Sequence, residues 1–388
     1  MTGHPVHASA DLAAAHAVRG LGRRRVLAGG IAALAGGCAT RRPEAPDRWE
    51  QAAMARHAVE FMAGYDVPGL SVAILHAGVP LYEGAFGMAD RERGEKLLPG
   101  HRMRIASVSK TITAAAIYRL AEEGRLALEA LVWGQNGLLG AAPAAPYLDE
   151  VTVSHLLTHT AGGWPNDATD PMFRNPGMGH AELIAWTLRN VTLQHRPGTR
   201  YAYSNFGYCL LGRIIERVSG KSYAEHIAEV ILRPFGLASM RIAGNTLAER
   251  GPQEVRYYGQ GGEDPYGMNV ARMDAHGGWV ATAGDLARFA TCIDGFPDTP
   301  QFLRRDTITR MVAPSGADSS YASGLRVNAR GNWWHTGNLP GVMSIMVRTS
   351  GNFCWAGLAN TRAARGAMAA DLDATLWRMV RSVGGWEA

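Results

Sequence analysis

The placement of strand-like segments constrains this chain more than any other feature. "GLSVAILHAGVPLYEGAFGMAD" reads as two strands joined near Ala77-Gly78, because apolar and β-branched residues flank a turn signal. "GNWWHTG", "GVMSIMVRT" and "NFCWAGLAN" read as three more, and all lie in the C-terminal third. Between them, from about residue 130 to 270, the apolar spacing is helical, as in "GHAELIAWTLRN", "NFGYCLLGRIIERVSG" and "SYAEHIAEVILRPFG". Strands at both ends with helices between them predict an α+β, two-lobed fold. An antiparallel sheet is built from both termini and flanked by an N-terminal helix over 49–65 and a C-terminal one over 364–383. The expected sheet lobe spans about 49–125 and 271–384, and a mainly helical lobe is inserted over about 126–270. Two long loops, "GWPNDATDPMFRNPGMG" and "GQGGEDPYGMN", have the length of functional rims.

The N-terminal segment reads as a targeting signal. "RRRVLAGGIAALAGGC" couples arginines to an apolar run of about a dozen residues that ends at small residues before Cys38. The run is shorter than the roughly 20 residues a membrane-spanning helix needs. It resembles a twin-arginine export signal over 1–37 with a lipoprotein cleavage box, followed by a polar linker over 38–48. Export to the periplasm and lipidation of Cys38 are therefore expected, giving a membrane-surface anchor. The other cysteines, Cys209, Cys292 and Cys354, sit in apolar runs and are odd in number, so buried free thiols are expected rather than a disulfide framework.

Charge narrows the function classes. The net charge is +5, with Arg23-Arg24-Arg25 and Arg41-Arg42 at the N-terminal edge, and no basic stripe alternates with aromatics. That pattern argues against nucleic-acid binding. More telling, only three of the 39 basic residues are lysines: Lys96, Lys110 and Lys221. One of them closes Ser107-Val108-Ser109-Lys110, at the start of the helix expected over "TITAAAIYRLAEEGRL". An i,i+3 spacing puts Ser107 and Lys110 on one face of a first turn. A serine hydroxyl needs a base to become a nucleophile. Lysine can serve when its pKa is lowered, whereas arginine cannot release its proton.

Two further groups could complete such chemistry. Tyr203-Ser204-Asn205 sits at a loop-to-helix junction, where a phenol beside an ammonium can shuttle a proton and Asn205 can orient an amide. Its bland reading is a capping Asn with a packed Tyr. His335-Thr336-Gly337 ends a strand; a cationic His335 with Thr336 could hold a carboxylate, and Gly337 would let a substrate backbone come close. His155 and His159 are four apart, as on a zinc helix, but no Glu follows His155 and no metal is expected. Trp164, Tyr201, Trp333 and Trp334 can equally line a cleft or pack in a core.

Taken in order, Ser-x-x-Lys, Tyr-x-Asn and His-Thr-Gly resemble the motif set of the penicillin-recognising serine hydrolases. The form with Tyr-Ser-Asn is similar to the class C β-lactamase, DD-carboxypeptidase and family VIII esterase branch. "VSHLLTHTAGG", "RPFGLASM" and "GGWVATAGDLARF" resemble the same family, over about 52–377. The resemblance implies the β-lactamase/DD-peptidase-like fold and an acyl-serine mechanism without metal or organic cofactor. It implies Ser107 as nucleophile, Lys110 and Tyr203 as proton carriers, and Asn205 as a substrate contact. The backbone N–H groups of Ser107 and Asn338 would form an oxyanion hole. The implied substrate is a small-molecule or peptide ester or amide, with peptidoglycan stem peptides and β-lactams within that class. His335 replaces the Lys of efficient β-lactamases, so an unperturbed pKa of about 6.5 predicts a weaker carboxylate patch whose activity changes between about pH 5.5 and 7.5. A true class C-like β-lactamase is the alternative within the family, and a penicillin-binding sensor or scaffold is the alternative outside enzymes.

Overall fold

The computed structural model describes residues 42–364 and 366–388. The export signal, Cys38 and the first part of the linker lie outside the described residues. Pro43–Ala388 packs as one unit.

The chain opens with helix α1 (Arg48–Tyr65), started by a reciprocal capping box. Asp47 accepts from the Trp49 and Glu50 amides, and Glu50 accepts from the Asp47 amide. Strands β1 (Gly69–His76) and β2 (Val79–Asp90) follow as a hairpin. Its turn is Ala77-Gly78, with φ of 47° and 73°. Two positive φ values are what a two-residue hairpin needs to match the strand twist, and Ala77 adopts one without being glycine. A short edge strand β3 (Glu95–Lys96) completes the N-terminal part of the sheet.

Helix α2 (Ser109–Glu122) comes next, and every residue from Ser109 to Tyr118 in it is buried. A helix with no exposed face in its first turns lies inside a core, and its polar Ser109, Lys110, Thr111 and Thr113 are buried with the rest. It packs against helix α3 (Asn205–Ser219) and the short helix Asp274–Gly277. Then come helix α4 (Ala283–Thr291) and strands β4 (Arg326–Val327), β5 (Trp333–Leu339), β6 (Val342–Arg348) and β7 (Phe353–Ala359), with helix α5 (Met368–Arg381) last.

The sheet order is β3-β2-β1-β7-β6-β5-β4, antiparallel throughout. Strand β1 pairs with β7 from Leu70↔Ala359 to His76↔Phe353, so the two ends of the chain are stitched into one sheet. Alternation along the strands separates two cores. Leu70, Val72 and Ile74 pack with Phe61 of α1 and Leu376 of α5, whereas Ala73 and Leu75 pack on the side of α2, α3 and α4. The sheet flanked by terminal helices, with a helix-rich segment inserted, is the expected fold. Cys209, Cys292 and Cys354 are buried free thiols. No helix among the described residues is long and apolar enough to cross a membrane.

Candidate active site

Ser107 does not lie in an α-helix. It is the centre of a single 3-10 turn, Ala106–Val108, and α2 begins only at Ser109. Three contacts hold this turn. The Ile105 amide donates to the Trp279 carbonyl at 2.9 Å, the Ser344 hydroxyl donates to the Ile105 carbonyl at 2.7 Å, and Gly337 of β5 lies flat against both. A Cβ on Gly337 would sit 2.2 Å from the Ile105 carbonyl oxygen and 2.2 Å from Ser344 Oγ. The missing side chain therefore admits the protein's own backbone, not the substrate's as the sequence had suggested. Ala106 is left-handed at φ 46° without being glycine, a local strain of about 1–3 kcal/mol that the surrounding contacts hold in place.

Lys110 is fully buried one turn on. Its ammonium donates to Ser107 Oγ at 3.1 Å, Asn205 Oδ1 at 2.8 Å and the His276 carbonyl at 2.8 Å. Three donors thus meet three acceptors, none of them a carboxylate. Burial pushes the Lys110 pKa well below its ordinary value, and the charge of Asp170 pulls it part of the way back.

Asn205 is the first residue of α3, but Ser204 caps that helix, accepting from the Gly207 amide at 3.2 Å. The Asn205 side chain is therefore free for the site. Its Nδ2 donates to Asn166 Oδ1 and Asp170 Oδ2, both at 2.8 Å, so its oxygen must face Lys110. Tyr203 is half-buried, has its hydroxyl near Ser107, and has its ring centre 4.9 Å from Lys110 Nζ. Burial drives the Tyr203 pKa up, outweighing the opposing influence of the Ser107 hydroxyl.

His335 departs most from the sequence reading. It is buried, and burial together with the Lys110 charge pushes its pKa down to about 3. It is thus neutral through the range in which it was expected to titrate, and it cannot be the cation of a carboxylate patch at neutral pH. The hydrogen bonds around it fix each proton. The Ser204 amide donates to His159 Nδ1 at 3.1 Å, so the ring proton of His159 is on Nε2, which meets Tyr321 Oη at 3.0 Å. Tyr321 then donates to His335 Nε2 at 3.3 Å, and His335 Nδ1–H donates to the Thr336 carbonyl at 2.6 Å. His159 is the packing centre of this chain, with the Tyr203 ring centre 4.1 Å away. His155 instead serves the capping box of Val153–Leu157. Among the described residues no group of three or more His, Cys, Asp or Glu gathers as a metal site.

These groups open on one cavity of about 740 Å³, lined by Ser107, Tyr203, Asn205, His335, Thr336 and Asn338, with Tyr201 also on its wall. Trp164 and Trp333 are buried in the core away from it. The sequence reading missed several wall residues. Arg326 and Arg362 both line the cavity, with different partners. Arg362 is ion-paired with Glu263 and donates to Asn338 Oδ1 at 2.7 Å. Arg326 has no ion pair among the described residues; it lies 5.7 Å from the Tyr321 ring centre and donates to Ser320 Oγ at 3.3 Å. Asp170 was missed as well, although Asp-Pro before a short helix is a readable cap signal.

The fold and this arrangement of Ser, Lys, Tyr and Asn define a class, and comparison with known proteins gives the family. Residues 54–376 match the family described as Beta-lactamase, and the chain belongs to it. Among curated relatives, Protein flp of Staphylococcus aureus is 30% identical over 179 residues, 43% of this chain and 33% of that protein. The chain thus spans about a third of the length of that relative. A putative D-alanyl-D-alanine carboxypeptidase of Escherichia coli O157:H7 is 26% identical over 303 residues, 69% of each chain. Among solved structures, D-amino acid amidase from Ochrobactrum anthropi SV3 has the same fold, with a TM-score of 0.72 and 22% identity over 86% of this chain and 98% of that one.

Proposed function

We propose that the protein is a serine hydrolase that cleaves an amide or ester through an acyl-enzyme on Ser107. The observation that carries this is the setting of Lys110. In its neutral form the amine has two N–H bonds and one lone pair. Asn205 Oδ1 and the His276 carbonyl take the two hydrogens, which leaves the lone pair aimed at Ser107 Oγ. Ser107 Oγ would bond to the substrate carbonyl carbon as its proton passes to Lys110. The backbone N–H groups of Ser107 and Asn338 are the proposed oxyanion donors. Tyr203, near Ser107, would give its own hydroxyl proton to the leaving nitrogen or oxygen as its bond to carbon breaks, and Lys110 would pass on the Ser107 proton to restore it. Water then releases the acyl group by the reverse path.

The substrate class follows from the cations. Arg362 is neutralised by Glu263 and His335 is neutral, so among the described residues Arg326 is the cation on the cavity wall without an ion pair. This favours an amide or peptide with a carboxylate close to the scissile bond, in line with the carboxypeptidase relative. The test is a panel of p-nitrophenyl butyrate, nitrocefin and a peptide ending in D-Ala-D-Ala, run on wild type and Ser107→Ala. Turnover of the peptide that vanishes in Ser107→Ala is expected. Undiminished turnover in Ser107→Ala would sink the acyl-serine reading, fast nitrocefin hydrolysis would favour a β-lactamase, and stable labelling by a fluorescent penicillin without turnover would favour a sensor.

From the sequence alone we also propose export and lipid anchoring at Cys38. Incorporation of labelled palmitate that is lost in Cys38→Ser is the expected result, and labelling that persists in that variant would remove the anchor.

A further inference from the structure

The loop 163–179 enters the sequence reading as a rim for substrate. Its contacts give it another use. The Arg272 side chain, buried, donates to the Met172 carbonyl at 2.6 Å and the Met178 carbonyl at 2.6 Å, and also bonds the Asn175 carbonyl. Asn269 Nδ2 donates to the Pro176 carbonyl at 2.8 Å. A guanidinium spent on three carbonyls of one short segment is a clamp, and the residue it holds in place is Asp170, itself buried. Asp170 Oδ1 accepts from the Met172 amide at 2.9 Å, and its Oδ2 accepts from Asn205 Nδ2 at 2.8 Å.

We propose that Asp170 is a positioning residue of this site: its carboxylate fixes which end of the Asn205 amide faces Lys110 and supplies the counter-charge for the Lys110 ammonium.

The first half follows from donor and acceptor counting. Both oxygens of Asp170 accept, so neither can be replaced by an NH2 group without setting donor against donor. In Asp170→Asn one position must become a donor. Facing Asn205, it would turn that amide round and present Nδ2 to the ammonium it now accepts from. Facing Met172, it would leave the amide at the start of Pro171–Arg174 without a cap. The second half follows from the charges around the pair. Lys110 faces Asp170 on one side and His159, His276 and His335 on others, with Tyr203 and Tyr208 alongside. All three histidines are driven neutral by burial and by the Lys110 charge itself. Asp170 faces Lys110, Asp167, Arg272 and Tyr203. Asp170 is therefore the carboxylate that acts on the Lys110 charge. Removing it lowers the pH at which Lys110 gives up its proton, because the charged form loses its partner while its burial is unchanged.

Only the kinetic consequence rests on Ser107 being the acylated group; the titration of Lys110 does not. The chain has just three lysines, so protein labelled with carbon-13 at lysine Cε gives three resonances, and Lys96→Arg and Lys221→Arg assign the exposed two. The midpoint of Lys110 is expected to fall by about one pH unit or more in Asp170→Asn, the scale of a lost opposite charge at close range. Asp170→Ser keeps a hydroxyl for the Met172 amide and removes the charge, so the same fall is expected there if Asp170→Asn does not fold. In turnover, the acid limb of the kcat/KM profile moves to lower pH and kcat falls by 10-fold or more in Asp170→Asn. An unchanged Lys110 midpoint in the folded neutral variant overturns the proposal, whatever happens to the rate. A shifted midpoint in a protein without Ser107-dependent turnover would leave Asp170 in its role and remove the acyl-serine reading instead.

Discussion

Lys110 and His335 are both buried and both basic, Lys110 directly behind the cavity's Ser107 and Asn205 and His335 on the cavity wall, yet the fold treats them in opposite ways. Lys110 stands among acceptors: a hydroxyl, an amide oxygen and a carbonyl, with the Asp170 carboxylate behind them. His335 stands between a carbonyl on one nitrogen and a phenol on the other, with Lys110 and Arg326 acting on it as like charges. Burial disfavours charge in both. Only Lys110 has a negative group to offset it, so its proton is held loosely and that of His335 is not taken up at all. The residue type sets what a group can do, and its partners decide whether it is charged when it does it. An amine whose protonation is finely opposed is suited to passing a proton. An imidazole held neutral in a chain of four hydrogen bonds is suited to holding Tyr321 and the β5 backbone still.

The largest effect that can break this comparison is Lys110→Arg. The charge is kept, but a planar guanidinium does not fit three acceptors placed around a tetrahedral ammonium, and it does not release a proton near neutral pH. A drop in kcat on the order of 10³-fold or more is expected, the upper part of the range for losing a general base. Steady-state turnover of the substrate identified with wild type checks it, with a thermal melt to show that the variant is folded. Activity within about tenfold of wild type would mean that positive charge, not proton transfer, is what Lys110 contributes.

What could be read from the sequence divides along the same line. The sheet stitched from both termini was legible, because strand alternation and helical periodicity are local patterns and their order along the chain fixes a topology. Ser107, Lys110, Tyr203 and Asn205 could be picked out because motif spacing brings its own residue types together, and the structure puts Ser107, Tyr203 and Asn205 on one cavity with Lys110 directly behind them. Asp170 could not be picked out as a partner of Asn205, because 35 residues separate them and a loop carries the contact. The charge of His335 was misjudged for a related reason. A pKa is set by what surrounds a group, and besides its strand neighbour Thr336 the groups Tyr321 and Lys110 reach it from elsewhere in the chain. Gly337 was recognised as a place of close approach, but which backbone comes close, Ile105 of the chain itself, is a tertiary fact.

The neutrality of His335 has a measurable consequence that is smaller and slower to appear. In the unfolded chain its pKa is about 6.5, and in the folded protein it is about 3. Below pH 6.5 the unfolded state binds a proton that the folded state refuses, so acidification favours unfolding. The stability that His335 contributes is complete above pH 6.5 and is lost as pH falls toward 3. The slope is at most about 1.4 kcal/mol per pH unit for one such group, so about 2 kcal/mol between pH 6.5 and 5. His159 and His276 are depressed by the same burial and act in the same direction, so the variant must be compared with wild type rather than with zero. Urea unfolding of wild type and His335→Gln at several pH values across that window is the measurement. The variant is expected to be less stable at pH 7, because Tyr321 and the Thr336 carbonyl lose a fitted partner, and to lose about one proton's worth less stability on acidification. Equal slopes in the two proteins would mean that His335 takes up its proton in the folded state. It would then be a cation beside Arg326 after all, and the carboxylate patch first expected from His335 and Thr336 would return.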